Sequence, residues 1–414
     1  MIASLLIALI VLLTSAKLGG SLAERLGQPP VLGELLAGIV IGALPLVGVK
    51  GLAYVAHDVT VEALANLGVI LLLFEVGLST RLAELLKVGT SALLVATVGV
   101  VVPMILGFFV GRWLLPGQHW YAALFLGATL CATSVGITAR VLSDLKRVAT
   151  PEGQIILGAA VIDDVMGLIV LAAMVGLARG GSSSGGSTLA TAGVVTAKAV
   201  GFIVGALLLG RALAPRLFRL ASRLRGRGVI FTAALVTCFA LAWAADAVGL
   251  APIVGAFAAG LVLEGVPFKE LLPDGDGIEE VLLPVSTVLV PLFFVHMGAL
   301  VNLRELAGGS VVLAAALTIA AIVGKQAFAL AVVTRGADRL TIGLGMIPRG
   351  EVGLIFAGMG LNLKVNGAPV LGSGEFAAVV AMVLLTTILT PPLLRWRLGR
   401  QPAALGAIGD PRPV

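Results

Sequence analysis

Gly158-Ala-Ala-Val-Ile-Asp-Asp-Val-Met-Gly-Leu-Ile-Val170 decides how the chain is read. Its two neighbouring acids, Asp163 and Asp164, stand halfway along an apolar run from about residue 153 to 178. A run of that length suits a bilayer, because about 20 residues rising 1.5 Å each cross the hydrocarbon. A charge at the centre of a spanning helix costs roughly 2.5–3.5 kcal/mol, so two in succession call for a reason. Ionisable groups at such depth face wet cavities and mark ion or proton paths. The pair is therefore expected to bind a cation and protons.

Composition agrees with a membrane setting. Of the 414 residues, 59% are hydrophobic and 12% charged, against roughly 25% charged in a soluble domain. The 28 Lys and Arg exceed the 22 Asp and Glu. They fall in short connections between apolar runs, as the positive-inside rule expects, and this argues against nucleic acid as a partner. Cys131 and Cys238 lie within apolar runs, without metal-site or disulfide spacing, and read as buried small hydrophobes.

Thirteen candidate spans cover approximately 2–18, 29–46, 63–78, 91–111, 120–142, 153–178, 189–213, 229–248, 250–264, 281–301, 310–333, 340–362 and 374–396. The first has a cleavage-like Thr14-Ser15-Ala16 but no basic start, so a retained helix is expected rather than a signal peptide. Alternating the connections from an outer N-terminus puts 20 basic residues inside. The outside then holds five: Lys50, Arg112, Arg179, Arg304 and Lys364. That bias predicts N-terminus out and C-terminus in. Residues 179–188, rich in Gly and Ser, read as a flexible outer linker. Residues 263–280 read as an acidic inner loop.

Two spans are poor helices. Ala132-Thr-Ser-Val-Gly-Ile-Thr-Ala-Arg140 crowds hydroxyls and Gly136 into the fifth, and Gly345-Met-Ile-Pro-Arg-Gly-Glu-Val-Gly353 puts Pro348 and Gly350 into the twelfth. Proline lacks a backbone donor and clashes with the preceding turn. In a membrane such breaks survive only where protein or cavity water satisfies the freed groups. The two lie seven spans apart and so cross in opposite directions. Spans 2–6 and 9–13 would form two five-helix inverted repeats, in which two broken helices meet near the midplane. The expected fold class is an all-α integral membrane protein of 13 helices with two broken, crossing helices.

Lys325, deep in the eleventh span, is the cation available to the acids. Adjacent helix positions point about 100° apart, so Asp163 is expected to pair with Lys325 and leave Asp164 for a substrate ion. Monovalent cations want oxygen ligands, and Asp164, Thr133, Ser134, unwound carbonyls and water would supply them. Arg349 and Glu351, at the second break, are candidates for compensating helix-end charge and lining the pathway. Glu75, Glu264 and His296 lie near span ends, where snorkelling makes charge cheap, and are expected to be structural or modulatory.

Five segments carry a family resemblance: Gln28-Pro-Pro-Val-Leu-Gly-Glu-Leu-Leu-Ala-Gly38, Ala132–Arg140, Val161–Gly167, Gly324-Lys325 and Pro348-Arg-Gly-Glu-Val352. In them the chain resembles the monovalent cation/proton antiporter superfamily, specifically bacterial NapA-type sodium/proton antiporters. The resemblance implies a multi-pass homodimer of the bacterial inner membrane that serves pH homeostasis, has the NhaA/NapA-like fold and needs no cofactor. A dimerisation part, approximately 20–90 and 215–305, would hold a moving core, approximately 91–178 and 306–398, in an elevator-like mechanism. Asp164 would be the principal carrier of Na+ (Li+ as a second candidate) and protons, with Asp163, Thr133 and Ser134 nearby. Potassium-efflux systems, the alternative branch, usually append a soluble regulatory domain, and the short tail after the last span is expected to disfavour them. A small residue is expected where His296 stands. An intramembrane aspartyl protease is the rival from another class, but its acids face each other from different helices, which adjacent acids do not easily do. Sodium-coupled uptake of an organic anion is a further rival, which would not need the buried Asp–Lys pair.

Overall fold

A backbone in lipid must satisfy its own N–H and C=O groups, and the apolar runs do so as α-helices. The structure, a computed structural model, describes residues 2–79, 90–134, 138–139, 141–142, 145, 147, 150–180, 188–224, 228–264, 266, 278–305, 310–327, 331–334, 336–365 and 367–399. Most of the expected linker and acidic loop lies outside these residues, as do Gly136, Arg140 and the side chains of Asp164 and Glu351.

In chain order the helices are α1 (Ile2–Arg25), α2 (Pro30–Ala43), α3 (Val59–Ser79), α4 (Thr90–Leu114), α5 (Trp120–Thr129), α6 (Pro151–Gly180) and α7 (Thr188–Ala221). There follow α8 (Val229–Ala247), α9 (Pro252–Glu264), α10 (Ile278–Ala299), α11 (Val311–Gln326), α12 (Arg339–Gly345), α13 (Glu351–Asn362) and α14 (Ser373–Gly399). Two short 3-10 turns follow α2, and a two-residue hairpin, Lys364–Val365 with Ala368–Pro369, joins α13 to α14. Among the described residues, eight helices (α1, α3, α4, α6, α7, α8, α10 and α14) are long and apolar enough to cross a membrane, by length and composition. Shorter apolar helices at α2, α5, α9, α11 and α13 complete the set.

Two boundaries differ from the sequence reading. α7 runs on to Ala221, past the expected end at 213. Its last turns carry Arg216 and Arg219, whose side chains reach back to the carbonyls of Ala212 (3.4 Å) and Pro215 (3.1 Å). Cations there favour the negative helix end, so the helix continues through a basic stretch that looked like a loop. α11 stops early, at Gln326, instead of running to 333. Lys325 therefore stands in a last turn rather than mid-helix.

The helices pack as two groups. In the first, α2 and α3 pack on α10, α3 also on α9, α8 on α9, and α1 on α2 and α10. Glycines bring these backbones together, because small residues allow close approach in lipid. A Cβ on Gly38 of α2 would lie 2.1 Å from the Val295 carbonyl oxygen, and one on Gly77 of α3 2.3 Å from that of Phe257. In the second group α4 packs on α5, α6 and α11, while α14 packs on α11, α12 and α13, and α13 on α5. α7 packs on α6 of one group and α9 of the other.

Candidate functional site

α5 ends at Thr129, and residues 132–134 after it are not helical. α12 ends at Gly345, and 347–350 run without helix until α13 starts at Glu351. The two interruptions touch. Ser134 N–H donates to the Pro348 carbonyl at 2.9 Å, and the Thr138 hydroxyl donates to the carbonyl of Gly345 at 2.6 Å. Gly350 is small of necessity here, since a Cβ on it would stand 2.7 Å from the Ser134 Cβ and Oγ.

Side chains from α11, from α14 and from the second break itself satisfy further groups at the crossing, as buried backbone requires. Lys325 Nζ donates to the Cys131 carbonyl at 3.1 Å, and Arg349 Nη1 to that of Ala132 at 2.8 Å. Two cations thus cover the frayed end of α5, where the helix dipole is negative. From α14, Thr386 Oγ1 accepts the Arg349 N–H at 3.3 Å and Thr387 donates its hydroxyl to the Arg349 carbonyl at 2.7 Å. Cys131, Lys325, Arg349 and Thr386 are 0% exposed, and Ala132 and Thr387 are buried as well, at 2% and 4%.

Asp163 meets this crossing from α6. Its Oδ2 accepts from Lys325 Nζ at 2.7 Å and from the Thr133 hydroxyl at 2.7 Å, and both members of the ion pair are 0% exposed. Its other oxygen, Oδ1, has no hydrogen-bond partner among the described residues. The same holds for Arg349 Nε and Nη2. Thr133 is thus tied to Asp163, whereas the sequence reading grouped it with Asp164. Asp164 is helical in backbone, its side chain outside the described residues, and Glu351 likewise. Among the described residues no three His, Cys, Asp or Glu side chains gather as a metal site.

Two cavities of about 320 Å³ each flank the crossing. One reaches Ser134, Gly350 and Thr387 from the N-terminal end of α2, with Leu35, Leu72 and Phe294 in its wall. The other opens beside the far end of α13, between Asn66, Ile253, Met297 and Asn362. Both lie between the two helix groups.

His296 corrects the sequence reading. It does not snorkel: it is 2% exposed, with Nε2 at 3.2 Å from the Ala56 carbonyl oxygen and Nδ1 without a partner among the described residues. Cys131 and Cys238 are buried free thiols. The sequence reading missed Thr386 and Thr387, although two successive hydroxyls in the middle of an apolar span were a signal.

The profile of the family described as "Sodium/hydrogen exchanger, transmembrane" matches residues 7–397. The chain is similar to the high-affinity Na(+)/H(+) antiporter NhaS3 of Synechocystis, 38% identical over 95% of this chain and 90% of that one. It is also similar to the Na(+)/H(+)-K(+) antiporter GerN of Bacillus cereus, 37% identical over 97% of each. Among solved structures, the sodium proton antiporter MjNhaP1 from Methanocaldococcus jannaschii at pH 8 shares the fold. Its TM-score is 0.70 at 18% identity, over 96% of this chain and 97% of that one. With a family profile matched over nearly its whole length and relatives this similar, the chain belongs to the transmembrane sodium/hydrogen exchanger family.

Proposed function

We propose that this multi-pass membrane protein exchanges protons for a monovalent cation, Na+ in the first place and Li+ as a second substrate. As a member of an exchanger family it is a transporter and not an enzyme. The observation that carries the reading is the Asp163 carboxylate. It is wholly buried and half engaged by Lys325 and Thr133, beside the contact of two interrupted helices. A carboxylate so buried is costly to keep for stability alone, since hydrophobic replacements of buried ion pairs are often neutral or better. An aspartyl dyad is disfavoured by the same geometry, because the Asp163 partner is an ammonium.

The mechanism follows from competition. A site carboxylate takes a proton or a cation but not both, and the loaded site alone crosses with its charge compensated. Asp164 is the principal carrier in this reading, with Asp163, Thr133 and Ser134 nearby and Lys325 as the internal counter-ion. Each pH unit then supplies about 1.4 kcal/mol per proton, a tenfold cation ratio. Two acids and one Lys able to titrate favour more than one proton per cation, and hence electrogenic exchange. Arg349 compensates the break through the Ala132 carbonyl.

In our reading the group of α4, α5, α6 and α11 to α14 is the moving core, and that of α2, α3 and α8 to α10 the dimerisation part of a homodimer. Close packing within each group, and cavities between them near opposite ends of α13, support an elevator displacement. Thirteen crossings in two inverted repeats are supported by matched packing: α2 with α10 mirrors α9 with α3, and α4 with α6 mirrors α11 with α14. The bacterial inner membrane, with N-terminus out and C-terminus in, fits the basic bias of the connections. A potassium-exchanging variant is a second reading, favoured by the similarity to a relative named for K+ as well as Na+. Proteoliposomes with an entrapped pH dye test the proposal: Na+ or Li+ added outside dequenches the dye. A response to K+ alone moves the protein to the second reading, and no response to any alkali cation sinks both.

A further inference from the structure

Pro348 removes a helix donor, and the interruption after it leaves the backbone of Arg349 without helical partners on either side. In an apolar interior each such group must find a partner or cost the full desolvation of a polar group. Thr386 and Thr387 meet both needs from a different helix. A threonine hydroxyl has one proton and two lone pairs. Thr386 spends its proton on its own helix, at the Met382 carbonyl (2.9 Å) or that of Val383 (3.1 Å), and its lone pair accepts the Arg349 N–H at 3.3 Å. Thr387 does the opposite and donates to the Arg349 carbonyl at 2.7 Å. Thr390, one turn on, donates to the Thr386 carbonyl within α14, at 2.7 Å, and to no other group among the described residues. Two adjacent hydroxyls thus replace the two bonds that the break removed around one residue.

That residue is central to the crossing. Arg349 reaches the Ala132 carbonyl, the preceding Pro348 carbonyl takes the Ser134 N–H, and the following Gly350 lies against Ser134. Thr387 and Ser134 both line the same cavity of about 320 Å³. We propose that Thr386 and Thr387 of α14 are positioning residues for exchange: they clamp the Arg349 backbone and so hold the second break in register with the first, where the cation is bound. This rests on the antiport reading given above and names a part of the machinery outside the two breaks and the Asp–Lys pair. A clamp of this kind acts on cation affinity. General helix packing, by contrast, acts on the amount of folded protein and leaves the affinity of what remains unchanged.

The test is Na+-driven dequenching in proteoliposomes for Thr387→Val, Thr387→Ser and Thr390→Val, joined to amide hydrogen exchange over residues 346–352. Losing a hydrogen bond to a buried carbonyl is expected to raise the half-saturating Na+ concentration of Thr387→Val about tenfold, with the maximal rate within about twofold. Thr387→Ser keeps the hydroxyl and restores the affinity, and Thr390→Val, which removes an equally buried hydroxyl, leaves it unchanged. Hydrogen exchange over 346–352 quickens in Thr387→Val alone. Wild-type affinity in Thr387→Val, or an equal loss in Thr390→Val, overturns the proposal. If Thr387→Val does not fold, Thr387→Ala, which adds no bulk, carries the same expectations. A wild type inert to every alkali cation strikes the antiport reading instead. In that case hydrogen exchange decides the clamp alone, and unchanged protection in Thr387→Val overturns it.

Discussion

Two ion pairs of this protein share one distance and little else. Lys325–Asp163 and Arg397–Asp338 both close at 2.7 Å, the first with both side chains 0% exposed, the second with 31% and 19%. Arg397 grips Asp338 with two nitrogens, at 2.7 and 3.0 Å, and Asp338 also accepts from Thr341 and caps α12 through the Leu340 N–H. Beside it the Asp338 N–H donates to Glu152 of α6 at 2.9 Å. This pair braces three elements of one helix group near solvent. The Asp163 pair braces less, leaves one carboxylate oxygen without a partner among the described residues, and pays full desolvation. The difference teaches that contact distance says little about why a pair is kept; burial and unused capacity say more.

The largest expected effect comes from splitting the buried pair. Lys325→Ala leaves the Asp163 carboxylate uncompensated at zero exposure and removes the donor to the Cys131 carbonyl, and about 3–5 kcal/mol of stability is lost. Thermal unfolding in detergent measures it. Replacing both partners, as Asp163→Asn with Lys325→Met, recovers most of that loss while the dependence of exchange on membrane potential weakens, because one titrating couple is gone. A double variant as unstable as the single one would make the pair a structural bridge.

Next in size is Gly350→Ala. Its methyl would meet Ser134 at 2.7 Å and push the two breaks apart. Overpacking of this kind costs about 1–3 kcal/mol. Exchange activity is expected to fall further than the folded fraction does, which dequenching rates normalised to reconstituted protein would reveal.

The brace gives the smallest effect. Asp338→Asn keeps a capping side chain but loses the charge, and about 1 kcal/mol is expected for a part-exposed pair. Its pH signature has a definite sign. Partial burial alone would raise the Asp338 carboxyl from 3.8, but the hydrogen bonds from Arg397 and Thr341 and the Arg397 charge outweigh it and hold the group at about 2. A carboxyl depressed on folding stabilises above its ordinary value and stops doing so as pH falls through the depressed one. The gap between wild type and Asp338→Asn is thus constant above about pH 4 and closes towards about pH 2.

The comparison also explains what could be read in the sequence. The Asp163–Lys325 pairing was legible because ionisable side chains deep in apolar runs are rare and need each other. The breaks were legible in Pro348 and Gly350, since few residues interrupt a helix so plainly. The brace was not, because Asp338, Arg397 and Glu152 stand at span ends, where charge is cheap and partners are set by folding. Thr386 and Thr387 were missed for another reason. A threonine in a membrane helix usually bonds its own backbone, as Thr390 does here, and only the fold, which lays the Arg349 break against α14, shows that its neighbours serve another segment. His296 misled because distance along the span does not reveal that α10 turns it inward, onto the Ala56 carbonyl.

The central claim is that the acids of α6 are kept because ions visit them, and Asp164→Asn tests it most directly. Reconstituted beside wild type, the variant is predicted to fold and insert yet give no Na+- or Li+-driven dequenching of an entrapped pH dye. Dequenching at the wild-type rate would contradict the account.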